Sequence, residues 1–272
     1  MKNLIITADD FGISKEVNDA VEDGHKNGVL TAASLMVAEP FAADAVERTK
    51  NMPRLGVGLH VALSRARPAS NPNDIPALVD AKGWLRADLV GAGVRFFFLP
   101  EVRRQLAIEI NAQFDAFART GLTLDHVNAH NHLQLHPTVL SIILETGKEY
   151  GMRAIRLPKD RNAKGLGAAF LTPWLALMQA RIAKNGVRHN DTLLGLDETG
   201  FLNSEAMTKL IDNLPDGTTE LMCHPATGPW EGMDPMACGF HHDQEYAALI
   251  DASMRNAVTN SGANLIAYRD IP

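Results

Sequence analysis

The chain has 272 residues, with 26 Lys and Arg against 32 Asp and Glu for a formal charge of −6, and with 46% hydrophobic and 21% charged residues. That length can bury a substantial core, and that composition excludes disorder. The net negative field and scattered basic residues exclude the electrostatic footprint of a nucleic-acid binder, and no run approaches the roughly 18 apolar residues that span a bilayer.

In chain order, Leu4–Ala8 predicts a buried strand, too short for the core of a signal peptide, and residues 14–27 predict a helix capped by Ser14. Ala33–Val37 follows as a strand, Phe41–Lys50 as a helix and Leu55–Val61 as a strand. Residues 101–119 predict a long helix with Val102, Leu106, Ile110, Phe114 and Phe117 on one face. The remainder alternates: strand Leu122–His130, helix Pro137–Tyr150, strand Arg153–Leu157, helix Pro173–Ala183, strand Thr192–Leu196, helix Ser204–Leu214, strand Glu220–Cys223, helix Asp243–Ser261 and strand Asn264–Ile266. This rhythm, without repeat or linker, implies parallel strands in a single α/β domain over residues 1–272. About eight βα units in that length fit a (β/α) barrel, whether complete, distorted or seven-stranded, better than an open doubly wound sheet. Segments 64–100, 158–172 and 225–242 interrupt the rhythm after strands and are expected as insertions at the C-terminal face.

The polar residues at strand ends carry the chemistry. The first strand ends in Asp9-Asp10-Phe11-Gly12, the third in Gly58-Leu59-His60, and the fourth runs into His126-Val127-Asn128-Ala129-His130-Asn131-His132. Arg156 and His224 close two later strands. In a barrel all of these converge on one mouth, and carboxylates, imidazoles and a guanidinium together suit a hydrolytic metal site. Neighbouring strand residues point to opposite sides, so Asp9 and Asp10 share a site only if the chain is leaving the strand, a turn that Gly12 permits. One carboxylate can then bind a cation while the other takes a proton; the bland alternative is that both only cap the following helix.

Period two puts His126, Asn128, His130 and His132 on one side of a regular strand, which leaves His132 as an alternative to His130. His136 reads as structural, and His25, His189, His241 and His242 read as surface residues. Two cysteines, Cys223 and Cys238, allow at most one bridge, which fits a reducing, cytoplasmic setting. Cys223 reads as a small core residue. No Gly-x-Ser-x-Gly elbow, Walker loop or Gly-x-Gly-x-x-Gly is present, and Gly56-Val57-Gly58 reads as a close backbone approach within a strand.

Thr7-Ala8-Asp9-Asp10-Phe11-Gly12, Gly58-Leu59-His60, His130-Asn131-His132, Arg156-Leu157-Pro158 and Met222-Cys223-His224-Pro225 together resemble the YdjC-like carbohydrate deacetylase family, in particular its hopanoid-biosynthesis-associated branch. The resemblance covers residues 7 to 225, and the order of the motifs is more specific than any one of them. It implies a (β/α) barrel, a divalent cation and removal of an N-acetyl group from an N-acetylglucosamine-type sugar. It further implies Asp10, His60 and His130 as metal ligands, Asp9 as catalytic base, His224 as general acid and Arg156 as the residue orienting base or substrate. There is one departure: where many members carry Asp-Ser-His-x-His-x-His, this chain has Asn128 in place of the carboxylate and Gln134 in place of the last histidine. Two imidazoles in the ligand set favour Zn²⁺ over Mg²⁺.

Apolar content suggests partners. Leu89–Leu99 holds Val90, Val94, Phe96, Phe97 and Phe98, and Phe170, Leu171, Trp174, Leu175, Leu177 and Met178 form a second cluster. One reading is an apolar mouth for a lipid-linked sugar, with peripheral membrane contact; the other is core or a homodimer interface. A soluble chitooligosaccharide would instead stack on exposed aromatics such as Trp84 and Trp230. A barrel phosphoesterase and a catalytically silent sugar-binding barrel are the competing functions.

Overall fold

A computed structural model describes residues 1–160, 165–234 and 237–272, with side chains omitted for 165–171. Phe170 and Leu171 of the second apolar cluster therefore lie outside the described side chains. Seven strands are described: β1 (Lys2–Phe11), β2 (Ala32–Leu35), β3 (Gly56–Val61), β4 (Val127–Ala129), β5 (Thr192–Leu194), β6 (Gly217–Cys223) and β7 (Asn264–Leu265). All pair in parallel, in the order β4-β3-β2-β1-β6-β5, with β7 beside Asn3 and Leu4 of β1. Nine helices surround them among the described residues: α1 (Lys15–Lys26), α2 (Ala42–Thr49), α3 (Leu89–Phe98), α4 (Pro100–Arg119), α5 (Pro137–Glu149), α6 (Gly165–Lys184), α7 (Ser204–Ile211), α8 (His242–Ile250) and α9 (Ala252–Ser261). None is long and apolar enough to cross a membrane.

The result is an α/β half-barrel, whose gap between β4 and β5 is crossed by single bridges at Ala154, Ile155 and Asp160. The strand expected at 153–157 is thus reduced to isolated bridges. The physical reason is Asn190, whose side chain takes the place of a neighbouring strand: its Oδ1 accepts from Leu157 N at 2.8 Å and its Nδ2 donates to Leu157 O at 2.9 Å. The expected strand 122–130 shrinks to Val127–Ala129, and a 3₁₀ segment, His130–Leu135, takes over at its C-terminal end. The single helix expected over 243–261 is two, since Asp251 leaves the helical conformation and caps α9 by accepting from Ser253 N at 2.7 Å.

Alternation along β1 sorts the core. Leu4, Ile6 and Ala8 join the main cluster with Val17 and Val21 of α1, while Ile5 packs with Tyr268 and Ile271 of the C-terminal segment. The α4 stripe is buried as expected, and a second row on the same helix does something else. Gln105, Glu109 and Gln113, four residues apart, reach out to backbone N–H groups of Ala77, of Ala69 and Ser70, and of Ala62. Gln105 and Glu109 thereby hold the long 64–100 insertion against α4. Within the insertion, residues 89–98 of the apolar run form α3, which buries Ala92 and Phe96 and leaves Val90, Val94, Phe97 and Phe98 exposed, as is Leu99 after it.

Candidate active site

The ends of β1, β3 and β4 meet through an irregularity that the chain builds deliberately. Pairing of β1 with β2 shifts register between Ala8 and Phe11, and Asp10 adopts a left-handed backbone with φ 62°. This bulge lets two neighbouring carboxylates serve one mouth while the strand continues to Phe11, so it corrects the expectation that the strand ends at the pair. Gly12, at φ 95°, then turns the chain toward Ser14, which caps α1 alone through Oγ, 3.2 Å from Val17 N. Neither aspartate is spent on capping. The other non-glycine residues with positive φ among those described are Arg65, Asn131 and His132, all just past the ends of β3 and β4. Such conformations cost about 1–3 kcal/mol each and cluster where function requires them.

Asp10 Oδ1 lies 3.3 Å from His60 Nε2 and 3.2 Å from His130 Nδ1, and those two nitrogens are 3.3 Å apart. Ligands around a tetrahedral ion at about 2.0–2.1 Å are themselves separated by about 3.3 Å. Hydrogen bonding supports the same conclusion. Asn128 Nδ2 donates to Asp9 Oδ1 and to Ser34 Oγ, both at 2.9 Å, so its Oδ1 must be the acceptor for His60 Nδ1–H at 2.7 Å. His60 Nε2 is therefore a bare lone pair aimed at a carboxylate and a second imidazole. Three electron-rich atoms converging in this way fit a divalent cation.

Asn128 is thus explained. A carboxylate there would stand against Asp9, whereas an amide donates to Asp9 and accepts from His60. From Asn128 the chain of hydrogen bonds continues inward: Ser34 Oγ donates to His126 Nε2 at 3.0 Å, and His126 Nδ1 donates to Asp125 Oδ2 at 3.0 Å. His126 also stacks on Tyr268, with centroids 4.5 Å apart. It supports the site from below and does not reach the mouth. Its ring explains Gly58, where any Cβ would collide with it. His132, whose backbone is left-handed, is not in the ligand triad, although Arg156, Asp9, His224 and His60 all lie near enough to act on its ring. Burial, aided by the Arg156 charge, pushes its imidazole down to about 3. Gln134 is buried with neither amide atom hydrogen-bonded among the described residues, and nothing in the structure explains its replacing a histidine.

Asp9 is held differently. Arg156, fully buried, donates Nη1 to Asp9 Oδ2 at 2.5 Å and Nη2 to Asp9 Oδ1 at 3.0 Å, while its other edge grips Glu220 at 2.7–3.0 Å. Tyr268 Oη donates to the far oxygen of Glu220. Burial alone would raise the Asp9 carboxyl, but the guanidinium and the His60 imidazole outweigh it and hold it below the ordinary carboxylate range. For Asp10, His130 and His60 likewise overcome burial. His224, at the end of β6, is near enough for both aspartates to act on its ring, yet burial wins and lowers its pKa.

Glu220 and Tyr268 were not singled out from sequence. Glu220 had a signal, being the one charge in the strand 217–223; Tyr268 had none. His242, read as a surface residue, is buried, and its Nδ1 lies 2.6 Å from His224 O. His136 is structural as expected, capping α5 and bonding Gly93 O of α3 at 3.0 Å.

The sequence matches a known family: the model for YdjC-like proteins aligns with residues 3–260. The chain belongs to the YdjC-like family. Among curated relatives, a carbohydrate deacetylase of Geobacillus stearothermophilus is 32% identical over 275 residues, covering 98% of this chain and 96% of its own. One from Thermoanaerobacter pseudethanolicus is 30% identical over 230 residues, covering 83% and 82%. A mouse carbohydrate deacetylase is 29% identical, covering 98% and 94%. Among solved structures, a protein of Enterococcus faecalis described in terms of cellobiose-phosphate cleavage superposes with a TM-score of 0.76 at 24% identity, covering 98% and 97%, which establishes the shared fold.

Proposed function

We propose that this YdjC-like protein is a divalent-metal-dependent deacetylase that removes the N-acetyl group from an N-acetylglucosamine-type sugar, acting as one catalytic domain of residues 1–272. The observation that carries this reading is three convergent ligand atoms beside a carboxylate kept ionised by a buried guanidinium. The names of the curated relatives support an acetylated sugar as substrate.

Asp10, His60 and His130 would hold the cation, with zinc favoured by the two imidazoles. A bound divalent cation supplies polarisation of the acetyl carbonyl and acidity to the attacking water. Asp9 accepts the water's proton; Arg156 keeps it ionised at any working pH, and the same pairing makes it a weak base matched only to an acidified donor. Arg156 also fixes the plane of that carboxylate through two parallel contacts. An amine does not leave as its anion, so His224 donates a proton to the departing nitrogen.

The substrate is read further as lipid-linked, a hopanoid glycoconjugate met by the chain in the cytoplasm. Support comes from the motif resemblance and from the apolar face of α3, where Val90 is 82% and Phe98 67% exposed. Such a face suits peripheral contact with a membrane surface, with a second copy of the chain as the competing occupant. Of the aromatics a soluble chitooligosaccharide would use, Trp230 packs on His242, while Trp84 stays exposed with Arg67 5.1 Å over its ring.

Acetate release from methyl N-acetyl-β-glucosaminide and from a lipid-linked N-acetylglucosaminide, each with and without a chelator, tests the reading. Chelator-sensitive acetate release is expected. Phosphate release from sugar phosphates would select a phosphoesterase instead, and binding without turnover would select the silent barrel. Asp10→Ala is expected to weaken metal binding by about tenfold or more; undiminished metal content would overturn the ligand assignment.

A further inference from the structure

We propose that Glu245 and His242, on the first turn of α8, are positioning residues that aim the His224 imidazole at the leaving nitrogen; this rests on His224 being the general acid. A working imidazole is usually oriented by a hydrogen bond to its second ring nitrogen. His60 has one, through Asn128. His224 does not, for its Nδ1 is buried with no partner among the described residues. Its direction must therefore come from the main chain.

The main chain at His224 is gripped on both sides. Its N–H donates to Glu245 Oε2 at 2.5 Å, and its carbonyl accepts from His242 Nδ1 at 2.6 Å. Pro225 adds a third restraint, since the residue before proline is confined to extended conformations. A carbonyl can only accept, so His242 carries its hydrogen on Nδ1. The His242 ring is set between Trp230 and Phe240 of the 225–242 insertion, with centroids at 5.2 and 5.8 Å.

Glu245 does more than contact His224. Its Oε1 accepts from Gly200 N at 2.9 Å, and the N–H of Leu202 also bonds it, so one carboxylate ties the connection between β5 and α7 to the end of β6. Among the described residues no ion pair is recorded for it. Burying a carboxylate without a cation is costly, and an apolar side chain would serve if packing were the only need. A carboxylate is the side chain that can accept from three N–H groups at once, whereas glutamine offers a single acceptor oxygen. Fixing three backbone segments around the acid accounts for the choice.

The test compares two substrates. Cleavage of methyl N-acetyl-β-glucosaminide requires protonation of the nitrogen, whereas 4-nitrophenyl acetate expels a phenolate that needs no acid. His224→Asn is the reference and is expected to lower kcat for the amide about 100-fold or more while sparing the aryl ester. His242→Phe and Glu245→Gln are expected to lower the amide-to-ester ratio of kcat about tenfold, with KM little changed. His242→Asn, whose Nδ2 takes the place of Nδ1, is expected to restore most of it. Because the ratio is taken on folded, soluble enzyme, a loss of yield does not mimic the effect. If His224→Asn lowers the ratio and His242→Phe and Glu245→Gln leave it unchanged, the positioning role is wrong. If His224→Asn itself leaves it unchanged, the assignment of the acid is wrong.

Discussion

Two buried glutamates stand behind the site, and the chain treats them in opposite ways. Glu220 is neutralised: Arg156 and Tyr268 meet its oxygens, and the same guanidinium holds Asp9. Among the described residues, Glu245 meets backbone N–H groups alone. On the Asp9 side the structure fixes charge, because a proton acceptor must stay ionised in a low-dielectric interior. On the His224 side it fixes direction, because a proton donor needs to be aimed and its charge changes during turnover.

The largest effect expected from breaking this contrast comes from Arg156→Met. It leaves Asp9 and Glu220 as neighbouring buried carboxylates with no cation, which should cost about 3–5 kcal/mol of stability in denaturant unfolding and abolish acetate release. A variant that unfolds like the parent would show that the charges were never tightly coupled. Glu220→Gln is milder. It keeps the shape, loses one charge from the Arg156 clamp, and should cost about 1–3 kcal/mol, with activity falling less than in Arg156→Met.

Glu245→Gln is set apart by its pH dependence. Burial pushes Glu245 up to about 7 from an ordinary 4.5, against its three N–H partners. The folded state therefore retains a proton that the unfolded chain releases, so this group's contribution is complete below about 4.5 and is lost as pH rises through about 7. Melting curves from pH 4.5 to 8 should lose that decline in the variant. Asp9 has the opposite sign: its lowered pKa contributes stability above its ordinary 3.8 that disappears as pH falls. An unaltered pH profile in Glu245→Gln would mean that its carboxyl is ionised in the folded protein throughout.

Much of this was legible in the residues alone, for reasons that differ by element. The α4 stripe and the alternation in β1 are written in local periodicity, which survives whatever packs against it. Asp9, Asp10, His60, His130, Arg156 and His224 could be found because strand ends in a parallel α/β fold share one face. Glu245 and His242 could not, because they serve the site through the backbone of His224, and a backbone contact leaves no trace in residue type. The His126 to His132 run misled as a strand because period two assumes a regular backbone, and Asn131 and His132 are left-handed.

The sequence by itself therefore determined the fold class, the helix faces and the set of polar groups delivered to the mouth, since each depends on patterns a few residues long. Only the tertiary structure decided which groups meet. The bulge at Asp10 brought both aspartates into one site, and Asn128, 119 residues from Asp9 in the chain, set the lone pair of His60 toward the cation position. Asn190 stood in for a missing strand neighbour, and two glutamates were divided between holding a charge and holding a direction. These are long-range contacts in which one hydrogen-bond donor or acceptor settles the role of the next, and no local period encodes them.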